Sequence, residues 1–126
     1  MTPEPGRQGQ VVRIVGHDDT ARAMGSGDLE VLATPRLVAW CEAATCASID
    51  EVLDDGSASV GTRVQIDHVA ASAPGAQITV TATLTAVDGR LLRFEVAARD
   101  DDGRVVGHGE VRRVVVRRER FLQRLT

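Results

Sequence analysis

The sequence predicts an α+β domain in which one long helix is wrapped by a curved antiparallel sheet of about five strands. Two observations support this fold class. A single helical segment is apolar on nearly all sides, and the segments after it alternate apolar and polar residues with the period of a β-strand. Such a helix must be covered by other structure, and a strongly curved sheet would cover it.

The chain of 126 residues predicts one domain, residues 1–126, with a single hydrophobic core. Its only aromatic residues are Trp40, Phe94 and Phe121, so the core must consist largely of Val, Ala, Leu and Ile. A core of that composition is often completed by a subunit interface, which favours a homodimer or a higher homo-oligomer.

The first elements of the chain are short or irregular. Residues 1–9 are polar and predict a loose tail, after which QVVRIV indicates a short strand over Gln10–Val15. The segment His17–Leu29 is rich in small and polar residues, which is typical of a loop or lid.

Thr34 and Pro35 predict the start of the long helix, with a hydroxyl side chain as N-cap and proline at the first helical position. The helix is expected to continue to about Leu53. Its apolar residues leave no broad polar face; they are Leu37, Val38, Trp40, Cys41, Ala43, Ala44, Ala47 and Ile49. Glu42 lies among them, although a carboxylate is almost never fully buried unless it is paired.

After a turn at Asp54–Ser59, apolar residues recur at every second position, which predicts four antiparallel strands with short connections. Asp88-Gly89 is typical of a two-residue hairpin, and Asp100–Gly103 marks another turn. The strands are expected over residues 63–68, 77–86, 92–99 and 104–116, and a short basic tail follows.

Composition and motifs exclude several classes of function. The formal net charge of −3 at pH 7 argues against a general nucleic-acid binder. All 15 cationic residues are Arg, which excludes lysine-based chemistry. The Cys and His residues lack zinc-ligand spacing, and no HExxH, GxSxG, P-loop or GxGxxG motif occurs, so no bound metal is expected.

Cys41 and Cys46 lie five residues apart on the predicted helix, so their side chains diverge by about 140° and cannot easily form a disulfide. Free thiols indicate a reducing compartment. The N-terminal residues contain no apolar signal region, and no apolar run approaches the ~20 residues of a membrane span. A cytoplasmic location without membrane association is therefore expected.

Two polar side chains besides Glu42 fall at apolar positions, and each needs a partner or a wet cavity. His68 has the parity of the apolar residues on its strand, and either a backbone carbonyl or Glu42 would explain it. Arg113 has the parity of the inward residues of the last strand, where either an ion pair with Glu42 or a subunit interface would explain it. Thr34 lies roughly 12 Å from Glu42 along the helix axis, too far for contact.

Three segments resemble the fluoroacetyl-CoA thioesterase family of hotdog-fold thioesterases: TPRLVAWCEAA, GTRVQIDHVAASAPG and the hairpin that begins LTAVDGRLLRFEV. The similarity covers roughly residues 30–121. In that family a Thr at the helix start, a Glu eight residues later and a His on the following strand form the catalytic set, and a Gly seven residues before the His contributes to the site. Those positions are occupied here, with the same spacings, by Thr34, Glu42, His68 and Gly61.

The resemblance implies a hotdog homodimer with active sites at the subunit interface, where the Thr meets the Glu and the His across the dimer. It also implies hydrolysis of an acyl-CoA or a related acyl thioester on an acyl carrier protein. No cofactor is expected, because CoA enters as part of the substrate. The residues that would contact its phosphates are Arg112, Arg113 and Arg117.

The specialised member of the family covers its acyl pocket with aromatic residues before the catalytic Thr. The corresponding segment here, GSGDLEVLA, contains none, so a broader acyl group is expected. Two alternatives remain open at this point. One is a non-catalytic protein that binds an acyl thioester or another small ligand, and the other is a hydratase that acts on enoyl thioesters.

Overall fold

The structure, a computed structural model, describes residues 2–126; Met1, the first residue of the predicted tail, lies outside them. Five strands and one long helix form the domain, which confirms the predicted fold class. The strands are β1 (Gln8–Ile14), β2 (Ser57–His68), β3 (Gln77–Asp88), β4 (Leu91–Arg99) and β5 (Val105–Arg117). The helices are α1 (Ala21–Met24), α2 (Thr34–Ile49) and α3 (Arg118–Gln123), and short 3₁₀ turns lie at His17–Asp19 and Asp50–Val52.

The strands form one antiparallel sheet in the order β1-β3-β4-β5-β2, so β1 and β2 are its two edges. The inward residues of β3 and β4 are buried against α2, as their alternation predicts. In the pairing of β2 with β5, Gly61 lies opposite Arg113 and His68 lies opposite Gly107. These two pairs of positions carry the polar residues discussed below.

Helix α2 lies very close to the sheet because two strand positions lack a side chain. A Cβ atom at Gly9 on β1 would lie 2.5 Å from the backbone oxygen of Ala44 and 2.8 Å from a backbone carbon of Ala47. A Cβ atom at Gly107 on β5 would lie 2.7 Å from a methyl carbon of Leu37. Glycine at both positions therefore sets the distance between the helix and the sheet.

The loose tail predicted for residues 1–9 is wrong for Gly6–Gly9. The Gly6 amide donates to the Leu84 carbonyl at 2.7 Å, and the Leu84 amide donates to the Arg7 carbonyl at 2.9 Å. β1 then begins at Gln8, two residues before the predicted start. The polar sequence concealed this pairing because alternate side chains of an edge strand face solvent.

Two other boundaries differ from those predicted. Helix α2 ends at Ile49 rather than at about Leu53, and the chain continues into the 3₁₀ turn. The predicted loop or lid at His17–Leu29 contains the other 3₁₀ turn and α1. An ion pair of 3.0 Å between Asp19 and Arg36 ties this segment to α2. Within residues 2–126, no helix is long and apolar enough to cross a membrane.

We expect the substitution Gly9→Ala to destabilise the fold by about 1–3 kcal/mol, because the added methyl group would overlap the backbone of α2. Urea denaturation followed by circular dichroism measures the change. Gly16→Ala is the matched control, because the nearest atom to its added Cβ lies 3.4 Å away, at an ordinary contact distance. Equal stability of the two variants would contradict this account of the helix position.

Candidate active site

Thr34 and His68 are joined by a hydrogen bond of 2.8 Å between Thr34 Oγ1 and His68 Nδ1. Thr34 is the first residue of α2, and His68 is the last residue of β2. The N-cap position is Ala33, so the prediction that the Thr34 hydroxyl caps the helix is wrong. The expectation that this Thr meets the His across a dimer is corrected too, since both belong to one chain.

The environment of His68 favours the neutral imidazole. Burial lowers the pKa of His68, and hydrogen bonding with the Ala70 backbone opposes this only in part. Nε2 is buried and has no well-aligned hydrogen-bond partner among the described residues. A neutral ring with its proton on Nε2 would present Nδ1 to the Thr34 hydroxyl as an acceptor, which is the arrangement of a base beside a nucleophile.

Glu42 forms an ion pair with Arg113, in which Arg113 Nη1 donates to Glu42 Oε2 at 3.2 Å. The other guanidinium nitrogens of Arg113 donate to the Ser59 side chain at 2.8 Å and to the Ser59 carbonyl at 3.1 Å. Arg113 is 7% exposed, whereas 36% of the Glu42 side chain is exposed. The ion pair therefore has a buried cationic end and an anionic end that reaches the surface of the chain.

Gly61 lies directly beside this carboxylate. A Cβ atom at Gly61 would overlap Glu42 Oε2 and would lie 3.5 Å from Arg113 Nη1. The pairing register between β2 and β5 shifts between Gly61 and Arg63, so Thr62 forms a bulge at this point. Glycine is required here because any side chain would displace the Glu42 carboxylate.

The four predicted site residues thus form two groups within one chain. Thr34 lies with His68, and Glu42 lies with Gly61. Thr34 and Glu42 are eight positions apart on α2, which is roughly 12 Å along the helix axis. Gly61 and His68 are seven positions apart on β2, which is roughly 20 Å along a strand that contains a bulge. Among the described residues, no hydrogen bond joins Glu42 to His68, and the predicted alternative of an ion pair with Arg113 is confirmed.

One side of α2 is not covered by the sheet. Pro35, Ala39 and Ala47 are exposed, and Val38 and Ala43 are only partly buried. The prediction that the sheet wraps the whole helix is therefore wrong for this face, because the sheet curls around one side only. Glu42 lies on the uncovered face, which explains its partial exposure.

A cavity of about 280 Å³ opens beside the Thr34–His68 pair. Its walls come from the segment before α2 and from the residues after β2, and its other lining residues are small or apolar: Ala21, Ser26, Val31, Leu32, Val69, Ala70 and Ala71. Most of these residues carry no sequence signal of function. Their place next to Thr34 and His68 makes this cavity the natural site for a reacting group.

The arginines predicted to contact CoA lie in different surroundings. Arg112 is on the outer face of the sheet, where it donates to Glu110 at 2.7 Å and lowers the pKa of that carboxyl. Arg113 is held by Glu42, as described above. Arg117, at the end of β5, lines a surface cavity with residues of α3.

Ser59 is a site residue that the sequence analysis missed. It lies two residues before Gly61, on the same face of β2, and it holds Arg113 through both its side chain and its carbonyl. The period of two along β2 was the signal that would have placed it there.

The two cysteines are unsuited to nucleophilic chemistry. Both are free; burial raises the pKa of the Cys41 thiol to about 12, and the charge of Glu42 adds to the effect. Burial also raises the pKa of Cys46. Within residues 2–126, no group of three or more His, Cys, Asp or Glu side chains is arranged to hold a metal ion.

Known proteins are similar to this chain in both sequence and fold. Residues 15–119 match the family described as fluoroacetyl-CoA-specific thioesterase. The fluoroacetyl-CoA thioesterase of Streptantibioticus cattleyicolor is 38% identical over 92 residues, which cover 73% of this chain and 66% of that protein, slightly less than two thirds of its length.

Solved structures agree with these sequence matches. The structure of the fluoroacetyl-CoA thioesterase FlK superposes with a TM-score of 0.90 at 30% identity, over 99% of this chain and 96% of that chain. A hot-dog-like protein from Thermanaerovibrio acidaminovorans gives a TM-score of 0.87 at 26% identity, over 96% of this chain and 89% of that chain.

The sheet, the single long helix and these relatives define a protein of the hotdog fold. The chain belongs to the fluoroacetyl-CoA-specific thioesterase family.

The lowered pKa of His68 predicts how the stability of the fold depends on pH. Protonation of His68 is less favourable in the folded chain than in the unfolded one. The contribution of the neutral ring to the free energy of unfolding is therefore complete above the ordinary histidine pKa of 6.5. This contribution is lost as the pH falls below 6.5 toward the lower pKa that His68 has in the folded chain. An NMR titration of the imidazole is expected to give a midpoint below 6.5, with His108→Gln used to assign the signals.

The corresponding variant is His68→Gln, whose free energy of unfolding should fall less between pH 7 and pH 5 than that of the wild-type protein. An NMR midpoint at or above 6.5 for His68, or the same pH dependence of stability in both proteins, would show that burial does not lower the pKa of His68.

Proposed function

We propose that this protein hydrolyses acyl-CoA thioesters to a carboxylic acid and free CoA, with Thr34, Glu42 and His68 as the catalytic side chains. The observation that carries the proposal is the hydrogen bond between Thr34 and His68 at the mouth of a cavity. It places a hydroxyl group beside an imidazole that burial keeps neutral, where a thioester carbonyl would be attacked.

In the proposed reaction, His68 Nδ1 accepts a proton, either from the Thr34 hydroxyl or from a water molecule that this hydroxyl positions. The resulting nucleophile attacks the thioester carbonyl, and the tetrahedral intermediate expels the thiolate of CoA. The proton that His68 accepted then neutralises the departing sulfur. If Thr34 attacks, a water molecule releases the acyl group in a second step of the same kind.

Glu42 and Gly61 would act on the opposite side of the reacting carbonyl. The Gly61 amide is the proposed donor to the oxyanion, because the missing side chain allows substrate to approach the backbone. The Glu42 carboxylate would accept protons or orient water, and Arg113 with Ser59 would keep it in position. Gly61 lies roughly 20 Å along β2 from His68 of the same chain, and Glu42 lies beside Gly61, so one chain would not supply a complete site.

A homodimer would complete the site. β2 is an edge strand whose outer side is unpaired within the chain, and the uncovered face of α2 carries small apolar residues beside it. If two copies pair through β2 about a two-fold axis with Gly61 opposite the partner's His68, Glu42 of one copy comes beside the Thr34–His68 pair of the other. The sheets would then join into one.

The cavity beside Thr34 indicates the kind of acyl group. Its small and apolar lining contains no aromatic side chain, so we propose a neutral acyl group that is not restricted to fluoroacetyl.

Variants of FlK have been solved with acetyl-CoA and with fluoroacetate and CoA, which supports CoA as the carrier here. The proposed reaction requires no metal or separate cofactor, because CoA enters as part of the substrate, and we propose a cytoplasmic location.

We expect the purified protein to release free thiol from a panel of short, branched and aromatic acyl-CoAs. Thr34→Val, Glu42→Gln and His68→Gln should each lower kcat/KM by about 100-fold or more, because each removes a group that moves or orients a proton. Glu95→Gln and His108→Gln are the matched controls, since both residues are exposed and neither lines the cavity.

Thermal stabilisation by acyl-CoA without any thiol release would contradict the proposal and support a non-catalytic binder. Loss of enoyl absorbance without thiol release would support a hydratase.

A mixture of two inactive variants tests whether the site is shared. After subunit exchange between Glu42→Ala and His68→Ala proteins, each mixed dimer would contain one site with both native side chains and one site with neither. Activity should then rise to up to about a quarter of the wild-type value. No recovery, in a mixture that mass spectrometry shows to contain mixed dimers, would place both residues in the same site of one chain.

A further inference from the structure

A second cavity, separate from the one beside Thr34, lies on the outer face of the sheet, which points away from α2. It has a volume of about 320 Å³, and β2, β5, β4 and the end of β3 border it. We call it the outer groove; the lining residues that matter here are Arg63, Arg93, Arg112, Ala86, Asp88 and Leu91. A concave site of this volume is large enough for a small molecule.

Three arginines stand side by side across the outer groove. Arg63 on β2 lies opposite Arg112 on β5, and Arg112 lies opposite Arg93 on β4. Directly opposed residues of neighbouring strands have Cβ atoms about 5 Å apart, and like charges in such positions destabilise the sheet. The row of three guanidinium groups therefore needs anionic partners.

The chain supplies only part of the negative charge that this row needs. Glu110 accepts a hydrogen bond from Arg112 Nε at 2.7 Å and forms an ion pair with Arg93 Nε at 3.1 Å. Hydrogen bonding with Arg112 lowers the pKa of Glu110, and the charges of Arg93 and Arg63 add to the effect. Across residues 2–126, no ion pair involves Arg63. The donors of Arg63 are therefore available to a ligand.

The charges around the outer groove leave one positive charge without a partner. Against the three guanidinium groups of the row stand two carboxylates, that of Glu110 beside the row and that of Asp88 in the lining. A fourth arginine of the lining, Arg113, is paired with Glu42 on the inner face. A monoanion would balance this excess, whereas a phosphate group carries nearly two negative charges at pH 7.

The remaining part of the outer groove is apolar. Leu91 is 55% exposed and lies opposite Val114 on the outer face of the sheet. Ala86 on β3 lies opposite Arg93 and so continues the arginine row with a small apolar side chain. Leu91 and Arg93 are two residues apart on β4, which is about 7 Å along the strand. A ligand with an acidic group at the arginines and an apolar body of about that length would cover Leu91.

We propose that the outer groove binds a free monocarboxylic acid with a short apolar body. Guanidinium groups form paired, charge-assisted hydrogen bonds with carboxylates, and Arg63 would donate such bonds to the ligand. Leu91 and Ala86 would pack against the apolar body, which removes apolar surface from water. This inference goes beyond the proposed function and stands without it, although the proposed hydrolysis would release an acid of this class.

An NMR titration of the ¹⁵N-labelled protein with hexanoate tests the inference, because it locates the ligand and needs no turnover. The amide signals of Arg93 and Leu91 should shift. Their titration should give a Kd at least about 10-fold lower than that for acetate, which lacks the apolar body, or for hexanol, which lacks the charge. Arg63→Gln should weaken hexanoate binding by about 10-fold or more, because it removes the unpaired guanidinium.

Arg99→Gln is the matched control for the loss of one positive charge. Arg99 lies six residues after Arg93 on the same face of β4, it is exposed, and it does not line the outer groove. Its variant should bind hexanoate as the wild-type protein does.

Four results would overturn the inference: shifts confined to the cavity beside Thr34, equal affinity for hexanol, equal affinity for inorganic phosphate, or unchanged hexanoate affinity in Arg63→Gln. Sedimentation velocity tests another occupant of the outer groove. An assembly larger than a dimer that Arg63→Gln abolishes, in a protein that does not bind hexanoate, would assign the outer groove to a further copy of the chain.

Discussion

The close seating of α2 on the concave face of the sheet determines where the functional groups lie. Leu37, in the first turn of the helix, packs over Gly107 on β5, and Gly107 pairs with His68. The last turns of the helix pack over Gly9 on β1. With both ends fixed in this way, the first residue of the helix must lie at the end of β2, and its hydroxyl reaches the imidazole.

The same seating places a charged pair further along the helix. Glu42 lies two turns after Thr34, at the level where Gly61 leaves space for its carboxylate. Arg113, on β5 of the sheet, pairs with this carboxylate and is buried. Burying its charge without a partner would cost several kcal/mol. Ser59 and Glu42 together satisfy the guanidinium, so the carboxylate is held by the fold rather than by the substrate.

Sequence periodicity predicted the fold class and the polar positions well, because burial imposes a period of two on strands and of 3.6 on helices. It could not predict which polar groups meet. Thr34 followed by proline has every local feature of an N-cap, yet the helix begins one residue earlier, with Ala33 as N-cap, and the Thr34 hydroxyl is hydrogen-bonded to His68 at the end of β2. Contacts between residues distant in sequence depend on the register of the sheet, which the pattern of one strand does not contain.

In the proposed dimer, the uncovered face of α2 is both the subunit interface and part of the active site. In a single chain, water reaches Glu42 and weakens its interaction with any charge that develops nearby. A second copy on this face would exclude that water and would strengthen the field of the Glu42–Arg113 pair at the same moment as it brought in the partner's His68. The small residues on the helix, such as Ala39, allow close approach there. Dimerisation would then bring the catalytic groups together and exclude water from them. A single chain would hold the Thr34–His68 pair and the Glu42 carboxylate too far apart to act on one substrate.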